Sequence, residues 1–318
     1  MKQFEKILKF ELKKSILNIK ALIFLVVMLL LKVILAFVNI PQTGRNINEN
    51  LYKKIISEMP GGYTQEKRDF VEERLEYFSD IKDNNTIEYN YYLGKYTDEE
   101  YREIKNDSLI AEKMIPVYSY IREKYNYYHE KYPDGRLFYD LDVQKYIASI
   151  GMEFTAIIFI AYIICNIFCN DYRCRTDVLV KTSYNGRKKL FGCRMLITMS
   201  VVVVLSIVSL LLDYLIKSRL FDINYYNYSI KSIMEMSGFT LDISVGNAIL
   251  LINITKFIYM IIFSFILIGI SRVLKNTYYV FLAGAGLVLF TYILSEFVPK
   301  AARFFLPGAG LTGIKLFI

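Results

Sequence analysis

The sequence has little of what most enzymes use at neutral pH. There is one histidine, His129, and no tryptophan. A single histidine excludes a His-Glu-x-x-His zinc motif and argues against Ser-His or Cys-His nucleophilic catalysis. No GxxxxGK[ST] loop is present, so the chain has no P-loop with which to bind ATP. The four cysteines, Cys165, Cys169, Cys174 and Cys193, lie within one short stretch, and segment 41–145 has none. A disulfide framework is thereby excluded, and the thiols are expected to face a reducing compartment. Cys165 and Cys169 share a helical face at i, i+4. Without a third ligand nearby they read better as small packing residues than as a metal pair. Acids are also scarce in the apolar runs, where Glu153, Asp213 and Glu296 stand alone near the ends. Intramembrane hydrolysis needs two carboxylates meeting at depth, so no enzymatic activity, metal or cofactor is expected in this chain.

Apolar residues, by contrast, are plentiful. The chain is 318 residues long and 54% hydrophobic, with a net charge of +8 and a mean hydropathy of +0.30. The apolar residues gather in five runs near 21–40, 146–169, 195–216, 247–271 and 277–298. Each is close to the ~20 residues a helix needs to cross about 30 Å of hydrocarbon. Runs of that length in lipid are helices, because a helix satisfies its own backbone. The expected fold is an all-α polytopic membrane protein with five spans. Its parts are a cytoplasmic amphipathic helix (1–19), a first span (20–40), a mainly helical outer domain (41–145) and a further membrane domain (146–318). The first run contains Lys32 and no small-residue cleavage pattern follows it, so it reads as a retained span rather than a signal peptide.

Charge sets the orientation. Residues 1–20 carry six lysines against two acids, and 170–194 carries seven Lys/Arg against two Asp. The link 272–276 adds Arg272 and Lys275, while 41–145 has 16 basic and 21 acidic residues. Short basic loops stay in the cytoplasm, whereas long domains translocate largely regardless of charge. The N-terminus, 170–194 and 272–276 are therefore expected inside a cell membrane, and 41–145 and 217–246 outside. The positive charge belongs to membrane flanks and anionic lipid headgroups, not to a nucleic-acid partner. Residues 1–19, with Phe4, Ile7 and Leu8 at helical spacing among lysines, are expected to lie on the inner leaflet.

In the outer segment, Phe70, Val71, Leu75, Phe78 and Ile81 form one helical face. Thr97 and Glu100 have capping-box spacing. A further helix is expected to kink or break near Pro116 and then run to the Pro133-Asp134-Gly135 turn. The many tyrosines, from Tyr89 to Tyr132, read first as packing for a small core and second as a ligand surface.

The stretch 170–194, NDYRCRTDVLVKTSYNGRKKLFGCR, sits between two apolar runs. Thr176-Asp177 can start a short helix, VLVKTSYN can make about two turns, and Gly186 can end them in a left-handed cap. Such a helix would expose Val178, Leu179 and Val180 on a cytoplasmic knob, which calls for a protein partner. Arg187, Lys188, Lys189 and Arg194 then anchor the return into lipid.

This pattern resembles the cytoplasmic coupling loop of the type-2 superfamily of ABC transporter permeases, especially low-GC Gram-positive forms. The matching residues are Asp171-Tyr172, Thr176-Asp177, Leu179-Val180, Thr182-Ser183, Gly186-Arg187 and Lys188-Lys189. Phe-Glu-Leu-Lys-Lys at 10–14 is similar to the amphipathic connecting helix of that family, and 41–145 to its extracellular insert. The resemblance implies a permease subunit that dimerises with a like or different chain, binds separate ATPase subunits holding ATP and magnesium, and moves substrate by alternating access. The family usually has six spans. Here the tail after Val298-Pro299 is too short to cross, so it is expected to re-enter, to lie in the interface, or to precede a missing sixth span. The alternative function is a membrane receptor or immunity protein binding a peptide through 41–145, and a passive channel is a further one.

Lys32 and Lys256 fall within spans, Lys32 about 18 Å along from Lys20 at ~1.5 Å per residue. An unpaired charge there costs ~2.5–3.5 kcal/mol on insertion scales. Either both snorkel outward, or they pair with Glu153 and Asp213 to line a cavity. Ala283-Gly284-Ala285-Gly286 offers a small-residue face, read first as intrachain packing.

Overall fold

None of the six prolines falls inside the five apolar runs, so nothing in the runs removes a helical hydrogen bond. The computed structural model describes residues 2–38, 40–41, 47–59, 61–83, 87–173 and 186–318. Its helices are α1 (Lys2–Ser15), α2 (Ile19–Val38), α3 (Glu49–Glu58), α4 (Gln65–Asp83), α5 (Ile87–Tyr92), α6 (Asp98–Lys131) and α7 (Leu141–Ala148). They continue as α8 (Phe154–Arg173), α9 (Gly186–Leu220), α10 (Val245–Leu274), α11 (Thr277–Leu294), α12 (Lys300–Arg303) and α13 (Pro307–Thr312). The only sheet among the described residues is an antiparallel pair of two-residue strands, β1 (Gly61–Gly62) and β2 (Arg136–Leu137).

Among the described residues four helices, α2, α9, α10 and α11, are long and apolar enough to cross a membrane. The chain is an all-α, multi-pass membrane protein. The apolar part of α8, Phe154–Asn170, is shorter. The run expected to be continuous from 146 is interrupted, because α7 ends at Ala148 and α8 begins only at Phe154.

The chain divides into two compact units, Met1–Pro41 with Tyr146–Asp222 and Ile249–Ile318, and Gln42–Lys145 with Ile223–Ala248. The segment 223–248 was read from sequence as part of 146–318, yet it packs with 42–145.

In the membrane unit α8 packs against α1, α2, α9 and α11. Ile157, Ile160, Ile163, Ile164, Ile167 and Phe168 are all buried, as expected for a helix apolar on every side. By contrast α2 leaves Ile23, Val26, Val27, Leu30 and Ile34 exposed, an apolar surface suited to lipid. Helix α1 rests on α9, where buried Glu11 accepts 3.2 Å hydrogen bonds from the Nε and Nη2 of Arg194. Arg194 is thus turned into the protein rather than free to meet headgroups as its sequence neighbourhood suggested. Arg194 is the ninth residue of a 35-residue helix, and the helical period faces it toward α1.

After α11 the tail doubles back, and Pro307–Thr312 is wholly buried. The Gly308 amide donates to Thr291 Oγ1 at 2.8 Å. A Cβ on Gly308 would lie 2.3 Å from the Tyr292 nitrogen, and one on Gly310 2.2 Å from the Tyr259 ring. These glycines are what let the tail lie against α10 and α11. Gly308→Ala and Gly310→Ala are therefore expected to destabilise by roughly 1–3 kcal/mol or more through overpacking. Gly286→Ala, with nothing within 4 Å of its Cβ, is expected to be neutral or stabilising by up to about 1 kcal/mol. Thermal unfolding of the purified chain in detergent checks the contrast, and equal effects at all three positions would refute it. Gly284 packs against Leu267 and Phe263, the intrachain use anticipated for the small-residue stretch.

In the second unit, the α4 face is partly as expected. Val71 is buried and Leu75 and Phe78 pack on the core, while Phe70 is exposed. The capping box forms, with Thr97 Oγ1 accepting from the Glu100 amide and Glu100 Oε2 accepting from the Thr97 amide at 2.8 Å. That hydrogen bond holds the Glu100 carboxyl below its ordinary value. Helix α6 does not end at Pro116 but runs through it to Lys131. Proline forfeits one backbone bond, and the packing of α6 on α4 together with the buried Val117, Tyr120, Ile121, Tyr125 and Tyr128 outweighs that loss. The tyrosines divide as first read: Tyr118, Tyr120, Tyr125 and Tyr128 are core, joined by Tyr52 and Tyr139. Burial pushes the Tyr125 hydroxyl up to about 12. Tyr92 stays outside, and Tyr91 stacks on Tyr101 at 4.1 Å.

At the centre of this core lies Lys124, fully buried, 2.6 Å from the equally buried Asp140. The Tyr52 hydroxyl donates to Asp140 Oδ1 at 2.8 Å and accepts from Lys124 at 3.0 Å. Burial, then the Asp140 charge, hold that hydroxyl far above its usual range. The rings of Tyr52, Tyr120 and Phe138 surround the ammonium. Gln144 donates to Asp140 at 2.8 Å and to Glu235 at 2.9 Å. Tyr120 donates to Glu235 at 3.1 Å. Residues 223–248 are thereby tied to α6 and α7 by hydrogen bonds.

Candidate functional site

The break between α7 and α8 leaves backbone carbonyls without helical partners beside an apolar environment, where each needs a donor. Two lysines supply them. Lys217 on α9 donates to the Ser149 carbonyl at 2.9 Å, and Lys256 on α10 donates to the Gly151 carbonyl at 2.7 Å. Glu153 follows at once, just ahead of the first turn of α8, and is buried. Its Oε2 accepts from Lys32 of α2, forming a buried ion pair, and from Ser209 Oγ of α9 at 2.9 Å. Its Oε1 lies 3.6 Å from Lys256 Nζ. Lys32 also donates to the Ser209 carbonyl at 2.6 Å and to Ser209 Oγ at 2.8 Å. All three donor positions of Lys32 are thus used, and it does not snorkel.

Of the four charged residues singled out from sequence, Lys32, Glu153 and Lys256 come together. Asp213 instead pairs with Lys217, one turn on, at 2.8 Å. Lys217 and Ser209 were missed. The i, i+4 spacing of Asp213 and Lys217 was a legible signal for the first, whereas nothing in the sequence marks Ser209 out among the other hydroxyls of its helix.

Beside this cluster is a cavity of ≈ 310 Å³. Lys32, Glu153, Asp213 and Lys217 line it together with the 148–152 backbone and apolar Leu35, Phe154 and Phe221. The arrangement provides a polar recess with an apolar wall, at the low end of the ~300–1,000 Å³ common for ligand sites. No group of three or more candidate metal ligands occurs among the described residues. Buried Cys165 donates its thiol to the Thr277 carbonyl at 3.7 Å.

The motif-bearing loop is the other candidate. Thr176, Asp177, Leu179, Val180, Thr182 and Ser183 lie outside the described residues. Asp171 is in the last turn of α8, and Gly186 and Arg187 open α9. Gly186 was expected to cap a short helix in the left-handed region, but it is instead the first residue of a 35-residue helix. The basic residues that follow favour continuation, since Lys and Arg propagate helix well, and Gly192, the one glycine between them and the apolar run, costs only about 1 kcal/mol. At ~1.5 Å per residue that helix is about 52 Å long, well beyond the hydrocarbon thickness. Nearby, Arg272 lies over the Phe191 ring at 4.2 Å and Lys275 over Tyr172 at 5.6 Å.

Searches for relatives return nothing: no protein-family model, no curated protein and no solved structure matches this chain.

Proposed function

We propose that this chain is the permease subunit of an ABC transporter of the type-2 superfamily. In this reading it has five spans, α2, α8, α9, α10 and α11, with the N-terminus and 170–194 in the cytoplasm and 41–145 outside the cell. It dimerises with a like or different chain and couples hydrolysis by a separate ATPase, which holds ATP and magnesium, to substrate movement, in the direction of export. The observation that carries the reading is the 170–194 sequence, with Asp171-Tyr172, Thr176-Asp177, Leu179-Val180, Thr182-Ser183 and Gly186-Arg187 in family order between two apolar helices. Two features support it. Helix α1 is clamped to α9 by Glu11 and Arg194, seven residues past Arg187, so a push on the loop has a rigid path into the membrane unit. Ion pairs from α2 and α10, and a hydrogen bond from Ser209 of α9, join these helices to Glu153 at the start of α8 and give them a polar contact that can be remade when they move.

The test is co-purification. A P-loop ATPase is expected to accompany the tagged chain from native membranes. Leu179→Asp is expected to abolish capture and ATPase stimulation with unchanged membrane insertion. Normal capture by Leu179→Asp would refute the role of the loop.

A further inference from the structure

The charges around the α7–α8 break do not balance. Among the described residues, Lys32, Lys217 and Lys256 face two carboxylates, Glu153 and Asp213. Both Glu153 oxygens are occupied, Oε2 by Lys32 and Ser209 and Oε1 by Lys256. One positive charge is therefore in excess, in a group of side chains that are all nearly or fully buried. An uncompensated charge away from water is costly, and it is relieved by a counter-ion or by loss of a proton. The cavity adjoins this surplus, with Lys32 and Lys217 in its wall and Leu35, Met152, Phe154 and Phe221 beside them. Its volume of ≈ 310 Å³ suits a headgroup and not a whole lipid or peptide, so the remainder of a ligand would lie along the exposed apolar surface of α2.

We propose that this cavity binds the singly anionic headgroup of an amphiphile, whose charge completes the three-lysine, two-carboxylate cluster. The site names a ligand chemistry that the transporter reading leaves open. It depends on the membrane unit alone, so a missing ATPase partner would not touch it.

The full chain, purified in an uncharged detergent, is titrated with short-chain phosphatidylglycerol, with short-chain phosphatidylcholine and with inorganic phosphate, and thermal unfolding is followed. Phosphatidylglycerol is expected to raise Tm in a saturable way, since a ligand that binds only the folded state stabilises it by mass action. Phosphatidylcholine and phosphate should not. Two variants move the charge in opposite directions. Lys256→Met cancels the surplus; Lys256 is not itself in the cavity wall, although it donates to the Gly151 carbonyl there. The variant is expected to weaken phosphatidylglycerol binding about tenfold or more, on the scale of a lost charge interaction. Asp213→Asn enlarges the surplus and is expected to leave binding as tight or tighter. A purely structural role for the cluster would weaken both. No shift with phosphatidylglycerol would overturn the proposal. Equal shifts with phosphatidylcholine or with free phosphate would overturn it as well, the first removing the need for charge and the second the need for an apolar body.

Discussion

Glu153→Gln is expected to be the most damaging single substitution in the membrane unit, destabilising it by roughly 3–5 kcal/mol, the usual cost of stranding a buried charge. Among the described residues Glu153 is the one carboxylate paired with both Lys32 and Lys256, so its loss leaves two ammonium groups without a paired counter-charge. Lys32→Met should cost less, because Glu153 keeps Lys256 at 3.6 Å and Ser209 at 2.9 Å. Lys256→Met should cost less again: it frees the Gly151 carbonyl, worth about 1–3 kcal/mol, but leaves the Lys32 pair intact. Thermal unfolding and recovery of monodisperse protein from detergent give the order. The double variant Lys32→Met, Glu153→Gln should recover part of the Glu153→Gln loss, since it removes one stranded charge. Additive losses in the double variant would mean the two groups do not interact.

The second large effect is expected at Lys124. It and Asp140 are both fully buried and 2.6 Å apart, so Lys124→Met should cost on the order of 3–5 kcal/mol in the second unit. Asp140 would keep Tyr52 and Gln144 as donors, which temper the loss without neutralising the charge. Lys124→Met with Asp140→Asn should recover more than half, because no bare charge then remains and methionine fills the ring-lined space. Glu235→Gln should have a small effect, since this carboxylate is exposed. Limited proteolysis of the full chain, read by cleavage between α3 and α7, follows this unit separately from the membrane helices. Equal proteolysis of the single and double variants would show that the ion pair is not what holds the core.

Much of the architecture is visible in the residue pattern because it depends on local physics. Apolar runs of span length, the capping box at Thr97, the amphipathic α4 and the turn after Lys131 each follow from a few consecutive residues. The errors arise where distant groups compete with local preference. Of the kink or break expected at Pro116, the break does not occur because its neighbours are core, and Gly186 begins a helix instead of ending one because of the long helix-forming run behind it. The second apolar run looked continuous, yet it breaks at 149–153, where lysines from two other helices supply donors to its carbonyls.

The candidate site shows the same division. Composition alone established a helical membrane protein with a tyrosine-rich polar domain, since the cost of exposing a peptide bond or a charge to lipid depends on residue type and run length. It also marked Lys32, Glu153, Asp213 and Lys256 as charges in need of partners. Which partners they take was decided by packing: Glu153 serves two lysines, Asp213 turns to Lys217, and Ser209 joins because the helices bring its backbone there. Side chains separated by 121 residues, such as Lys32 and Glu153, meet only once the helices have docked, and pairing energy falls off over a few ångströms that no linear pattern encodes.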